Sequence, residues 1–200
     1  SLAEKGNVVP VYAQLAADFE TPLSAYIKIS GDGEAFLFES AESPNSHNEN
    51  GRYSILGSHP RAVIKAHGHE ITFCENGQTK KWTAKKDVLA ELEQLMAKYQ
   101  PVTHGNAPPF YGGAVGYLSY DAVRQFEPSI GPAPKDELGL PDALFIMADT
   151  LLIFDHRLRR LIVVANAFLD EHENAEDARQ DAISRIGGMI ERLDTPLHIP

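Results

Sequence analysis

Cysteine is nearly absent from this 200-residue chain, Cys74 being the only one. An intrachain disulfide is thereby excluded, and a reducing compartment fits. Long apolar runs are missing as well. No stretch approaches the roughly 20 apolar residues that span a bilayer, and Ser1 to Asn7 lack the apolar core of a signal peptide. Basic residues are scarce: 18 Lys and Arg stand against 28 Asp and Glu, a formal charge of −10. That balance argues against nucleic acid or a membrane as partner, because both reward clustered positive charge. These deficits point to a cytoplasmic protein. The basic groups that do occur, Lys80, Lys81, Lys85 and Lys86, and Arg157, Arg159 and Arg160, lack interleaved aromatics and read as solvated surface.

Catalytic signatures are missing too. The chain has no H-E-x-x-H, no G-x-S-x-G elbow and no cysteine constellation. Gly112-Gly113-Ala114-Val115-Gly116 is not G-x-G-x-x-G, and no Walker-type lysine follows it. His67 and His69 could face one side of a strand as metal ligands, but they straddle Gly68 and no third ligand is near. The run Asp170 to Glu173 precedes a predicted helix, where negative charge is favourable without any metal. Cys74 lies in a predicted strand and reads as packing. No catalytic, cofactor-binding or metal-binding residue is assigned to this chain.

What the sequence does hold is an ordinary globular composition, 43% hydrophobic and 23% charged. A chain of this length buries roughly 70% of its unfolded surface. Val8 to Val11 reads as a first strand. Thr21-Pro22 marks a helix start, with a capping hydroxyl and proline at the first helical position, and Leu23, Tyr26 and Ile27 share a face there. Phe36 to Ser40 reads as a strand and Ala41 to Gly51 as a long polar loop. Arg52 to Leu56, Ala62 to Ala66, Glu70 to Glu75 and Gln78 to Trp82 are strands, the last three a meander. Gly68 serves one turn, and Asn76-Gly77, both tolerant of positive φ, signals a hairpin.

A helix is expected over Lys85 to Tyr99, with an apolar stripe of Val88, Leu89, Leu92, Leu95, Met96 and Tyr99, ended by Pro101. Phe110 to Tyr120 reads as an extended segment whose glycines let another backbone or a ligand come close. One or two helical turns follow over Asp121 to Phe126, then a proline-rich excursion over Pro128 to Pro141. Ala143 to Phe154 and Leu161 to Phe168 form a second hairpin. The last helix spans Ala175 to Leu193, capped by Asn174, with Ala182, Ile183, Ile186, Ile190 and Leu193 buried. Gly187 and Gly188 weaken it by roughly 1 kcal/mol each, which suggests a kink or close packing. The pattern is α+β: antiparallel β-sheets, a meander and hairpins, with packed helices and no regular βαβ alternation.

Several blocks together resemble one family, the large subunit (component I) of anthranilate synthase. Val9-Pro10-Val11-Tyr12 and Thr21-Pro22-Leu23-Ser24-Ala25-Tyr26 are similar to its opening. Phe36-Leu37-Phe38-Glu39-Ser40 resembles its L-L-E-S strand, and Gly51-Arg52-Tyr53-Ser54-Ile55-Leu56-Gly57 its G-R-Y-S block. Phe110 to Glu127 is the most specific match, and Asp136 to Asn166, with L-G-L-P-D-A and A-D-T-L-L-I-F-D-H, completes the series. The blocks run in order from Val9 to Asn166.

The resemblance implies that residues 1–200 are a single amino-terminal regulatory domain. The whole protein, a carbon–oxygen lyase, would make anthranilate and pyruvate from chorismate and ammonia, with Mg²⁺ and chorismate held by a carboxy-terminal catalytic domain of the same chain. A glutamine amidotransferase subunit would supply ammonia. This stretch alone would be inactive, bind no cofactor and self-associate through an apolar patch. The start at Ser1 and the linker-like Asp194-Thr195-Pro196 read as boundaries within a longer protein. By the same resemblance, Glu39 and Ser40 match the strand that contacts L-tryptophan as feedback effector, and Pro22 matches a proline near the indole. Arg52 either positions Glu39 or an effector carboxylate, or forms a structural ion pair. Tyr53 and the Gly112 to Gly116 run read as interdomain packing. The loop after Ser40, rich in Asn and Ser with Pro44 in it, departs in composition from the family's version. Two alternatives stay open: aminodeoxychorismate synthase component I of the folate branch, and a stand-alone amino-acid-binding domain.

Overall fold

The computed structural model describes residues 5–39, 51–102, 107–108, 110–132 and 135–197. The chain divides into two compact units, each with its own sheet. One comprises Ser1–Pro60, Tyr99–Gly112 and Asp149–Pro200; the other comprises Arg61–Lys98 and Gly113–Ala148.

The first unit holds β1 (Val8–Ala16), α1 (Pro22–Ser30), β2 (Ala35–Glu39), β3 (Tyr53–Ser58), β9 (Thr150–Asp155), β10 (Arg160–Phe168) and α3 (Ala175–Leu193). The second holds β4 (Ala62–His67), β5 (Glu70–Glu75), β6 (Gln78–Thr83), α2 (Val88–Met96), β7 (Gly113–Leu118) and β8 (Ala143–Ala148), together with a 3₁₀ turn over Tyr120–Gln125. The first sheet runs β1-β10-β9-β3-β2 and the second β6-β5-β4-β8-β7, with every pairing antiparallel. The α+β architecture expected from the sequence is the one observed.

In the first unit the core forms where α1 and α3 cover one face of the sheet. Leu152 and Phe154 of β9 and Leu161, Val163, Ala165 and Ala167 of β10 meet Ala25 and Ile29 of α1 and Ala178, Ala182, Ile186 and Met189 of α3. Alternation along a strand sends these residues to one side. The intervening Leu151, Ile153, Ile162 and Val164 are also buried, which explains why both strands read as unbroken apolar runs. On α1 the buried positions are Ala25 and Ile29, while Leu23 is 58% exposed. The apolar face expected there is rotated, because small Ala25 lets the helix sit close to the sheet.

Local signals set the ends of the helices. Thr21 accepts from the Ser24 backbone N–H at 3.1 Å and Ser24 Oγ accepts from the Thr21 N–H, a reciprocal capping box. Asn174 caps α3 through the N–H groups of Glu176 and Asp177. On α2, Asp87 accepts from Ala90 N–H at 2.8 Å and starts the helix at Val88, three residues after the expected Lys85. The apolar stripe there is only partly buried: Val88 is fully covered, whereas Leu89 is 40% exposed. Tyr99, expected on that stripe, lies in the first unit and packs edge-on against Phe168 with ring centroids 5.7 Å apart.

In the second unit the meander and its turns form as expected. Asn76 (φ 51°) and Gly77 (φ 74°) close β5 onto β6, and Gly68 (φ 53°) closes β4 onto β5. The stretch expected as one strand, Ala143 to Phe154, is two strands in different sheets, divided at Asp149. Asp149 is where the apolar run carries a charge: its backbone oxygen accepts from Asn166 N–H and its carboxylate from Arg185. The glycine-rich segment is β7. A Cβ on Gly116 would lie 1.9 Å from the Leu144 carbonyl oxygen and 2.7 Å from the Phe145 Cα. The close partner is thus the neighbouring strand's backbone.

The helical glycines behave oppositely. α3 runs unbroken through Gly187 and Gly188, and a Cβ at either position would meet nothing within 4 Å. Close packing expected there is not found. Two substitutions should therefore move stability in opposite directions. Gly116→Ala should destabilise by about 3 kcal/mol, since β7 must shift off β8. Gly187→Ala should stabilise by roughly 1 kcal/mol through helix propensity alone. Urea unfolding of the two variants checks both signs.

Candidate functional site

The end of the first sheet where β3 begins and β9 finishes gathers a cluster of polar and charged side chains. Asp155, the last residue of β9, is fully buried. Arg52, just before β3, grips it with both prongs, Nε to Oδ1 at 3.2 Å and Nη2 to Oδ2 at 3.0 Å. Arg160 Nη2 donates to Oδ2 at 3.4 Å, and the Leu158 backbone N–H donates to Oδ1 at 3.2 Å. Burial alone would raise the Asp155 pKa. The Arg52 hydrogen bonds, the Leu158 N–H and the charges of Arg52 and Arg160 outweigh it, so the carboxyl is held below its ordinary range. The Arg52 guanidinium also lies 4.8 Å from the Tyr53 ring centroid.

A second set of contacts starts from Ser54, one pleat along β3 and 2% exposed. Its hydroxyl lies 2.7 Å from His156 Nε2 and 3.5 Å from Glu39 Oε1. Register produces this meeting: Glu39 pairs with Ser54 across β2 and β3, and Ser54 pairs with Phe154 across β3 and β9. The His156 ring stacks on that of Phe154 at an interplanar angle of 18°.

A cavity of about 360 Å³ opens beside these groups, within the range of small-molecule sites. Pro22 and Thr21 at the start of α1 form one wall, and Phe154, Asp155 and His156 form another. Asp18, Glu20 and Arg159 bring charge to its rim. Glu20 is itself paired with Lys28 and accepts from Ser24 Oγ. The cavity thus combines an apolar wall of Pro22 and Phe154 with acceptors of negative charge, a combination suited to a ligand with a cationic head and a flat apolar body.

Of the four residues picked out from the sequence, Pro22 lines the cavity. Arg52 holds Asp155, which also lines it. Glu39 does not line it; its carboxylate meets Ser54, which contacts the lining residue His156. Ser40 lies outside the described residues, as does the loop that follows to Asn50. Sequence reasoning missed Ser54, Asp155 and His156, although they stand inside the G-R-Y-S and F-D-H blocks. The available signal was Asp155 itself, a charge ending the apolar run Leu151 to Phe154. His67 and His69 are both exposed at the turn between β4 and β5, and no three His, Cys, Asp or Glu side chains converge on a metal position among the described residues. Arg160, read as solvated, is partly withdrawn from water by its bond to Asp155.

A family model described as chorismate binding enzyme matches residues 33–196. The chain belongs to the chorismate binding enzyme family. Among its relatives, anthranilate synthase component 1 of Synechocystis sp. is 38% identical over 98% of this chain and 38% of its own length. Probable anthranilate synthase component 1 of Schizosaccharomyces pombe is 33% identical over 98% of this chain and 36% of its own. The chain thus spans little more than a third of the curated relatives it matches. Among solved structures, anthranilate synthase component I from Streptococcus pneumoniae TIGR4 superposes with a TM-score of 0.54 at 26% identity, covering 91% of this chain and 37% of that one.

Asp155 supplies a stability test with a defined sign. Its folded pKa lies below its unfolded value of about 3.9, so its stabilisation is complete above that value and is lost as pH falls through the folded pKa. Arg52→Ala leaves the buried carboxylate with only part of its cationic support, and should cost about 2–4 kcal/mol at neutral pH. The acid-unfolding midpoint should move to higher pH. Circular dichroism across an acid titration of parent and variant checks both.

Proposed function

We propose that this chain is the tryptophan-sensing portion of an anthranilate synthase large subunit. The whole protein then makes anthranilate and pyruvate from chorismate, a carbon–oxygen lyase reaction feeding tryptophan synthesis. The observation that carries the reading is a cavity lined by Pro22, Phe154, Asp155 and His156, with Arg52 holding Asp155 and Glu39 one hydroxyl away from His156 through Ser54. Glu39 offers a carboxylate to the amino acid's ammonium group. Pro22 and Phe154 offer apolar surface to an indole. Arg52 acts at one remove, holding Asp155 and so the end of β9.

The remaining length of the relatives supports a second proposal, that the chorismate and Mg²⁺ ligands lie in a catalytic segment beyond this chain and the ammonia comes from a glutamine amidotransferase partner. On that reading the 200-residue chain alone makes no anthranilate. Feedback is then a coupling free energy, with tryptophan binding one arrangement of sensing and catalytic parts better than another. Large apolar side chains left in water support the same division: Phe19, Tyr120 and Leu138 are 98%, 90% and 80% exposed. Cytoplasmic residence is part of the same proposal, supported by the single cysteine.

In the full-length protein, Glu39→Gln should raise the tryptophan concentration for half-inhibition about 10- to 100-fold, the loss of one charge-assisted contact. Unaltered inhibition would remove Glu39 from the site. Calorimetry on the isolated chain should give weak tryptophan binding or none, and sub-micromolar binding would contradict a divided site. Its light scattering at high concentration should show association through exposed apolar surface; a clean monomer would contradict that. Product analysis of the full-length enzyme should give anthranilate, and aminodeoxychorismate instead would assign the folate branch.

A further inference from the structure

The two glycines of α3 leave room that the fold does not need. Each weakens the helix by roughly 1 kcal/mol relative to alanine, and neither is required by a close neighbour. Beside Gly188 the absent side chain opens a groove of about 300 Å³ between α3 and the ends of β3 and β9. The opposite end of β3 carries the cavity described above. Six residues of strand separate the two, roughly 17 Å at the usual rise, so this groove is a distinct place on the same unit.

Two guanidiniums, Arg185 and Arg192, and one carboxylate, Asp149, line it in a chain that is acidic overall, so the lining carries one cation in excess. Arg185 and Arg192 reach it from α3, His59 from the turn after β3, and Thr150 and Ser184 add hydroxyls. Arg185 is already committed. It donates to Asp149 Oδ2 at 3.0 Å, to Thr150 Oγ1 at 3.3 Å and to Asp181 Oδ2 at 3.0 Å. Arg192 differs: among the described residues no carboxylate pairs with it. Its Nη1 is 3.0 Å from His59 Nδ1. A guanidinium only donates, so Nδ1 accepts, the proton of the neutral ring sits on Nε2, and Ser58 Oγ, 3.1 Å from the same Nδ1, faces it as a donor.

The position of His59 is itself unusual. Its φ of 51° lies in the left-handed region that few residues other than glycine adopt. Burial, and then the charge of Arg192, lower its pKa, which keeps the ring a neutral acceptor. The result is a guanidinium with unused donors facing an open groove, flanked by hydroxyls and without a counter-charge of its own. We propose that this groove binds a small oxyanion, a phosphate or carboxylate group. Arg192 supplies the charge, Ser184 and Thr150 supply hydrogen bonds, and Gly188 supplies the room. Planar two-oxygen recognition by a guanidinium suits both chemistries.

The His59 ring is the reporter. Its proton resonances are followed by NMR in this chain while inorganic phosphate, or separately malonate, is added at constant ionic strength. The expected result is a saturable shift with at least one of the two anions, together with an upward move of the His59 titration midpoint, because a bound anion offsets the Arg192 charge. Saturation by phosphate alone or by malonate alone identifies which oxyanion fits. Arg192→Gln should weaken binding about 10- to 100-fold, as expected for one charge-assisted contact. Gly188→Leu, which fills the groove with a good helix former, should abolish it. Melting curves show whether each variant is folded; if Gly188→Leu is not, Arg192→Gln decides alone. Shifts that fail to saturate with either anion, or binding unchanged in Arg192→Gln, would overturn the proposal.

Discussion

A single buried carboxylate organises the end of the first sheet. Asp155 has no access to water, and an unpaired charge there would cost several kcal/mol. It is tolerated because four donors from three places in the chain converge on its two oxygens: Nε and Nη2 of Arg52, Nη2 of Arg160 and the backbone N–H of Leu158. This meeting fixes the start of β3 against the end of β9 and shapes the turn into β10. Ser54 and His156 inherit their positions from it, since each is one or two residues from a member of the cluster. His156 forms a cavity wall with Phe154, and the ion pair at Asp155 holds the strand end that carries both.

The same geometry sets the surroundings of Glu39. It sits at the exposed end of β2, an edge strand, where a side chain would ordinarily point freely into solvent. Pairing with Ser54 brings a buried hydroxyl within 3.5 Å of its carboxylate, and that hydroxyl is tied to His156 at 2.7 Å. On the proposed reading, a ligand ammonium approaching Glu39 would meet a partly ordered acceptor and cost less side-chain entropy.

Much of the fold was legible where local chemistry is strong. Thr21-Pro22, Asn174 and Asn76-Gly77 act through their own backbone neighbours, and each ends or turns the chain as their residue types demand. The second hairpin was legible because the charged turn from Asp155 to Arg160 interrupts two β-branched runs. Legibility failed where a position is decided by something distant in sequence. Periodicity could not show that β8 and β9 belong to different sheets, because Asp149 is a single residue in a long apolar run. Nor could it show that Gly187 and Gly188 face open space while Gly116 is pressed against Leu144. At the site, family resemblance selected Glu39, Pro22 and Arg52, whereas Ser54, Asp155 and His156 emerged only from strand register. The buried acid and its main partner, Arg52, are 103 residues apart along the chain, a distance that no local pattern spans.

The central claim is that this cavity is the sensing half of a tryptophan site. A crystal structure of the full-length protein with bound tryptophan tests it most directly. The account predicts the ligand's ammonium nitrogen within hydrogen-bond distance of a Glu39 carboxylate oxygen, with the indole against Pro22. Tryptophan bound elsewhere, with Glu39 and Pro22 both facing solvent, would contradict it.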